Sequence, residues 1–182
     1  MSDAHLEVPV LKSARLQLRR IVPEDAPSLH LAFGDAESMR FWDSPPTADV
    51  AETEVRLRRS QAIETTWHAT WAILRASDNA FMGMVNYHAW QSWNHRLGLG
   101  WILIPNARRH GYMEEAVRVV LGHCFGVLDT HRAGAEIEPE NKASIRLAER
   151  LGFQREGLLR DRMFVAGEPR SVLMYSLLRG LR

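Results

Sequence analysis

One stretch restricts this chain more than any other: GLGWILIPNARRHGYMEEAVRVVLGHCFGV, residues 98–127. Its apolar run Trp101-Ile102-Leu103-Ile104 reads as a buried strand. Pro105 ends that strand, because proline has no amide to continue a ladder. A polar and basic loop follows from Asn106 to His110, and then Gly111. From Met113 the apolar residues recur with helical period, which puts Val117, Val120, Leu121, Cys124 and Leu128 on one face. Strand, basic glycine-containing loop and helix in this order suit an anion. The first amides of a helix have no internal partner, and the helix dipole favours negative charge there. Gly111 lets backbone approach a ligand with no Cβ in the way. Arg108, Arg109 and His110 bring donors and positive charge to the same place.

Composition narrows the classes that such a loop can serve. The 182 residues carry a net charge of +1, so any electropositive function must be local rather than global. No pull toward nucleic acid or membrane is expected, and polar residues interrupt every apolar run short of spanning length. No leader segment is visible, which makes the cytoplasm the expected compartment. The single cysteine, Cys124, excludes an internal disulfide and a cysteine-cluster zinc site. Its place on the apolar helix face makes it a core residue. The histidines lack spacing such as H-E-x-x-H, and no metal is expected. Neither G-x-G-x-x-G nor G-x-x-x-x-G-K-[ST] occurs, and there is no G-x-S-x-G elbow.

In chain order, residues 1–14 read as an N-terminal arm and Arg15 to Ile21 as a half-buried strand. Pro23-Glu24-Asp25 opens a helix to about Phe33, with Gly34 as its cap. Phe41 to Pro46 is an irregular aromatic loop, and Thr47 reads as the N-cap of a helix through about Glu64. Within that helix Glu52–Arg56 and Glu54–Arg58 have pair spacing, and the charge run is expected to be a solvated face. A role for its arginines in binding an acidic partner is the lesser alternative. Trp71 to Leu74 and Phe81 to Trp90 read as strands joined at Ser77-Asp78-Asn79, and together with the strand ending at Ile104 they make a meander. Ala133 to Glu138 is a short strand. Asn141 opens a helix with Ser144, Leu147, Ala148 and Leu151 inward, closed by Gly152. Phe153 to Phe164 and Ser171 to Arg179 form a closing hairpin. No repeat or linker appears, so residues 1–182 are expected to form one α/β (α+β) domain.

Two motifs carry a resemblance. Arg108-Arg109-His110-Gly111-Tyr112-Met113 resembles motif A of the GNAT superfamily of N-acetyltransferases, Gln/Arg-x-x-Gly-x-Gly/Ala, with methionine in the last small position. Gly-Tyr-Met with a following Glu-Ala resembles the RimJ/RimL-like branch, that of the ribosomal-protein-alanine acetyltransferases. Asn141 to Phe153 resembles the later motif, Asn-x-x-(Ala/Ser)…Leu-Gly-Phe, over its whole length. The resemblance implies a GNAT fold, with a mixed, mostly antiparallel sheet of about six or seven strands and about four helices. It implies acetyl-CoA as donor and a primary amine as acceptor, reacting directly in a ternary complex. A peptide N-terminus is the first acceptor considered. The loop residues Arg108, Arg109, His110, Gly111, Tyr112 and Met113 would wrap the pyrophosphate of coenzyme A. Asn141 would contact the pantetheine arm, with Arg146 also on the cofactor side, although Asn141 is equally a plain N-cap. The extended, amide-rich pantetheine could add to the edge of Ile102, Leu103 and Ile104 as a strand does.

Departures from the family pattern bear on the chemistry. Ala148 stands where many members have a tyrosine acid, which leaves Ser144 as the substitute hydroxyl or simply a small packing residue. Gly98 stands where a glutamate is common, and Ser171 where an aspartate is usual. Met163 takes the place of a carboxylate near the final hairpin, with Asp161 close by. The base is therefore open among Glu136, Glu138, His88 and Asp161, with Ser144, Glu136 and Asp161 carried as catalytic candidates. Trp42, Trp67, Trp71, Trp90 and Trp93 are candidates for packing or for an aromatic wall around a cationic acceptor. Two alternatives stand beside this reading. An acidic acceptor pocket would favour an aminoglycoside or polyamine substrate, and loss of catalysis would leave an acyl-CoA-binding module. Monomer and homodimer are both compatible with the sequence.

Overall fold

The computed structural model describes residues 8–62 and 67–180. Their strands are β1 (Leu11–Lys12), β2 (Leu16–Arg20), β3 (Ala69–Arg75), β4 (Phe81–Gln91), β5 (Arg96–Leu103), β6 (Arg132–Ile137), β7 (Gln154–Val165) and β8 (Glu168–Leu178). The helices are α1 (Ala26–Phe33), α2 (Ala36–Met39), α3 (Val50–Ala62), α4 (Tyr112–Gly126) and α5 (Lys142–Leu151). All eight strands join one sheet in the order β1-β2-β3-β4-β5-β6-β8-β7. Every neighbouring pair is antiparallel except β5 with β6. That is one strand more than the upper figure expected, because Leu11 and Lys12, placed in the arm, pair with Leu18 and Gln17. The arm is tied down further where the Trp71 indole donates to Pro9 O at 2.8 Å.

The parallel pair is the feature that positions everything else. Its register runs Arg96↔Arg132, Leu97↔Ala133 and Gly98↔Gly134, and then stops. Beyond Gly98 the two strands part, so β5 presents backbone from Leu99 to Leu103 to a gap. On the other side β5 stays bonded to β4, with His88↔Gly98, Asn86↔Gly100 and Met84↔Ile102. Paired residues share a face, so His88, Asn86 and Met84 line one side of the sheet with Gly98 and Gly100. Leu97, Leu99 and Trp101 point to the other side.

Helix α4 covers that second side with Met113, Ala116, Val117, Val120, Leu121 and Cys124, all buried. Burying a Leu- or Val-sized side chain contributes roughly 1.5–3 kcal/mol, so this stripe is the main anchor of the helix. Helix α5 buries Leu147, Ala148 and Leu151 as its periodicity requires. It starts with Asn141 Oδ1 accepting from the Ser144 N–H at 3.1 Å, and ends at Gly152 with φ 94°. Ala148 is fully buried, so the position at which the resemblance would put a tyrosine lies in packed core here.

Two local expectations are corrected. Thr47 is not the cap of α3; Asp49 accepts from the Glu52 N–H at 2.8 Å and does that work. Thr47 is buried instead, with its hydroxyl 2.7 Å from Thr53 Oγ1 and 3.1 Å from His30 Nδ1. The Glu52–Arg56 pair does not form, because Glu52 accepts from the Ala48 N–H at 2.7 Å and Arg56 turns to the 44–45 loop. Glu54 and Arg58 do pair, at 2.6 Å. Residues 63–66, including the expected helix end at Glu64, lie outside the described residues.

Candidate active site

The gap between β5 and β6 opens into a cleft of about 520 Å³. Its walls come from the loop at Phe41–Asp43, from β4, from the parting strands, and from the start of α5. A second chamber of about 380 Å³ adjoins it and shares Trp42, Asp43 and Asn86 with it. Both volumes lie in the range of small-molecule sites.

His88 sits at the junction. A Cβ on Gly98 would fall on the His88 imidazole, inside van der Waals contact with Nε2. Glycine at 98 therefore leaves its side-chain space to the cross-strand neighbour. His88 Nδ1 lies 3.3 Å from Asn86 Oδ1, an arrangement that favours a proton on Nδ1 and a lone pair on Nε2. By surface area His88 is exposed, but the concave wall surrounds it closely enough to desolvate the ring. That lowers its pKa below the ordinary 6.5, and the charges of Glu136 and Asp43 only partly oppose the shift. The ring is neutral at pH 7.

Across the gap, the Trp101 indole donates from Nε1 to Ser144 Oγ at 3.3 Å. Ser144 is half-buried and lines the cleft. A hydroxyl whose oxygen accepts from an indole keeps its own proton free to donate. His88 and Ser144 thus face the gap from opposite sides of the sheet, one carrying a lone pair and the other a proton.

The remaining acid–base candidates are placed differently. Glu136 lines the cleft but is ion-paired with Arg162 at 3.0 Å. Glu138 lines it too, and Arg170 Nη1 donates to both of its oxygens at 3.1 Å. Asp161 is not brought to the cleft wall. It sits exposed on β7 with φ 48°, where the β7–β8 register shifts, and Met163 faces the cleft instead. The bulge re-aims the strand, a device that alternation in the sequence does not announce.

The basic loop lies beyond the far end of β5. Pro105–Ala107 form a single 3-10 turn, Arg109 has φ 68° and Gly111 has φ 77°. The first bond into α4 is from the Glu115 N–H to Gly111 O at 3.1 Å, so the earlier amides of the turn have no helical acceptor. A Cβ on Gly111 would meet only Arg15 Nη2, at 3.6 Å, which leaves the loop open to a ligand. Arg109 and His110 are exposed there, Tyr112 is half-buried, and Met113 is buried under the loop. Arg108 is turned inward, where its guanidinium holds Ser38 Oγ at the start of α2. Ile102 is buried and Leu103 half-buried at the end of β5, and Ile104, just beyond it, is buried. Arg146 is exposed on α5. An extended ligand with amides at one end and phosphates at the other fits this run of free strand edge and free helix amides.

Sequence reasoning did not single out Arg15, Trp101, Asn86 or Asp43. Arg15 bonds to Glu115 Oε2 at 2.7 Å and to His110 O at 3.1 Å, and covers the Tyr112 ring at 4.9 Å. The pair joins residues 100 positions apart, which no local pattern signals. Among the tryptophans, Trp42 lines the cleft, Trp71 is fully buried in the core and Trp93 is 79% exposed.

A family model described as an acetyltransferase (GNAT) domain matches residues 15–154. The N-acetyltransferase p20 of Bacillus licheniformis is 31% identical over 170 residues, covering 93% of this chain and 96% of that protein. The N-acetyltransferase YoaA of Bacillus subtilis is 28% identical over 172 residues, covering 94% and 97%. A crystal structure of a probable GNAT-family acetyltransferase from Chromobacterium violaceum superposes with a TM-score of 0.87 at 24% identity, covering 99% of this chain and 91% of that one.

Proposed function

The chain belongs to the GNAT family of acetyltransferases, and we propose that this N-acetyltransferase moves the acetyl group of acetyl-CoA to a primary amine with His88 as the base. The observation that carries this reading is the cross-strand exchange at Gly98. Where a glutamate is common in the family, glycine leaves the space and the His88 imidazole fills it. A neutral imidazole at the parting of two strands has a free lone pair in position to take the proton that an attacking amine sheds.

The donor's phosphates would be held by the amides of Gly111 to Glu114, with Arg109 and Arg15 beside them. Its pantetheine would lie along the free edge of β5 past Gly98, near Asn141. This sets the thioester in the gap between His88 and Ser144. The amine enters from the His88 face as the free base, its ammonium proton gone to water. Its nitrogen attacks the carbonyl carbon while the proton it sheds as the C–N bond forms goes to Nε2. A backbone amide of β5 facing the gap can stabilise the negative charge on the carbonyl oxygen. As the C–S bond breaks, the Ser144 hydroxyl lies on the thiolate side and can give it a proton, which it recovers from water. A thiol pKa of roughly 8.5 makes that help useful rather than obligatory.

The retention of a base argues against a module that only binds acyl-CoA. Glu136 and Glu138 are both neutralised by arginines, which argues against a polycationic acceptor such as a polyamine. The reading is tested by mixing the protein with acetyl-CoA and a panel of amines while following free thiol. Release with one acceptor class, lost in His88→Gln, supports it. Stabilisation by acetyl-CoA with no release on any amine would leave only the binding module.

A further inference from the structure

Arg56 is the guanidinium that lines the chamber opening off the cleft. Its Nη1 donates to Ser44 Oγ at 3.0 Å and its Nη2 to Pro45 O at 3.0 Å, while its guanidinium lies 5.3 Å from the centre of the Phe33 ring. No carboxylate pairs with it among the described residues, because Glu52, its expected partner, is held by Ala48. The side chain is half-buried and lines the chamber with Ser60, Thr70 and Asn86. A guanidinium held on Ser44 and Pro45 with unused donors, set in a cavity, can receive an anion. The chamber's other charge, Asp43, is linked to it only through Ser44 Oγ, which donates to Asp43 Oδ1 at 3.2 Å. The planar fork matches a carboxylate in particular.

The path from the gap to Arg56 is continuous. His88, Asn86 and Met84 succeed one another on one face of β4, with His88 in the main cleft, Met84 in the chamber and Asn86 in both. At about 3.3 Å per residue, His88 to Met84 covers roughly 13 Å, and the step to Asn86 about half of that. Asp43, at the shared boundary, carries no ion pair among the described residues and faces the same space. An acceptor with its ammonium by His88 would therefore reach Arg56 with a group several bonds away. Two or three extended residues span roughly 7–10 Å, which lies within the roughly 13 Å of β4 along which cleft and chamber run.

We propose that the acceptor is a short zwitterion of di- or tripeptide size, acetylated at its amine and recognised through a carboxylate on Arg56. This rests on the reading of the cleft as the transfer site. The carboxylate could be a free C-terminus or an acidic side chain near the N-terminus of a peptide, and the chemistry at Arg56 is the same for both. A polyamine meets Arg56 as a like charge and is excluded by it.

The test compares trialanine, trialanine amide, an Ala-Ala-Glu amide and spermidine as acceptors in the acetyl-CoA reaction, with wild type, Arg56→Gln and Arg56→Lys. Wild type should show kcat/KM about ten- to a hundredfold higher for a carboxylate-bearing tripeptide than for trialanine amide, since a charge-assisted pair is at stake. Whichever acid gains the preference names its source. Arg56→Gln should bring the ratio close to one, and Arg56→Lys should restore part of it. The ratio is read within each variant, so a general loss of stability from removing Arg56 does not imitate the result. Equal use of amide and acid by wild type would overturn the proposal, as would preference for spermidine, or an unchanged ratio in Arg56→Gln. Failure of every carboxylate-bearing amine to react, or to bind in calorimetry with coenzyme A present, would overturn it too. The two readings fail differently. If neutral amines react in a His88-dependent way without acid preference, only the acceptor class is wrong. If His88→Gln leaves every reaction unchanged, the assignment of the cleft is wrong as well.

Discussion

The imidazole of His88 occupies the side-chain space of Gly98, its cross-strand partner. The two residues work as one unit, since the glycine has value only because the histidine fills it. Gly98→Ala adds no ionisable group and removes none, yet its Cβ must displace the ring. A displacement of about 1 Å in a reacting group costs on the order of a hundredfold in rate. Gly98→Ala is accordingly expected to lower kcat by about that factor with the KM for acetyl-CoA little changed. Steady-state kinetics in the thiol-release assay would read both.

Ser144 is expected to matter less than His88. Ser144→Ala removes the hydroxyl that accepts from the Trp101 indole at 3.3 Å. With a thiol leaving group of pKa roughly 8.5, the loss should be about tenfold at pH 7 and smaller at higher pH. An unchanged kcat across the pH range would remove its assigned role.

Arg15 tests the phosphate loop. It braces the loop through Glu115 and His110 O and stands beside Gly111. Arg15→Ala should raise the KM for acetyl-CoA roughly tenfold while leaving kcat close to wild type, as expected for loss of one charge-assisted contact. Because the guanidinium is half exposed and Glu115 keeps Ser13 Oγ and the backbone amide of residue 15 as donors, its removal should change stability by less than about 1 kcal/mol. Thermal unfolding would separate the two effects.

Acid should destabilise the fold through histidines held neutral. His68 is brought down to about 4 by burial first and the nearby charge of His88 second, with Ser60 Oγ and Thr70 Oγ1 against its Nε2. His88 and His123 are also lowered by burial. A folded-state pKa below the unfolded value means that the unfolded chain binds the proton more readily. Stability is therefore complete above about 6.5 and is lost as pH falls through that value toward about 4. Urea unfolding between pH 7 and pH 4 should show this decline, and His68→Gln should flatten part of it.

Cys124 should be silent in every thiol assay. It is fully buried, and burial pushes its thiol up to about 12. A native sample should release no titratable thiol until it is unfolded, when one equivalent per chain appears. Free thiol seen during turnover then comes from the donor alone.

The elements legible in the sequence were those with local causes. Helix α4 and its basic loop follow from a proline, a glycine and a period of apolar residues, all within thirty positions. The Asn141 cap and the Gly152 stop are local in the same way. What stayed hidden depends on partners far apart in the chain. The parting of β5 from β6 is a matter of parallel register, and the crossover through α4 separates those strands in sequence. His88 could not be told from Glu136, Glu138 and Asp161 by residue type. The ion pairs to Arg162 and Arg170, the bulge under Asp161 and the vacancy at Gly98 separate them only in three dimensions. Arg56 illustrates the limit of pair spacing, since Glu52 found a nearer donor in the Ala48 amide.

The measurement that bears most directly on the account is the pH dependence of kcat/KM for wild type and His88→Gln with a single reactive amine. Wild type should lose activity on the acid side as one group with a pKa below 6.5 is protonated. His88→Gln should be about a hundred- to ten-thousandfold slower near neutrality and should lack that acid limb. A variant that retains both the rate and the limb would show that another group takes the proton, and the assignment of His88 would fall.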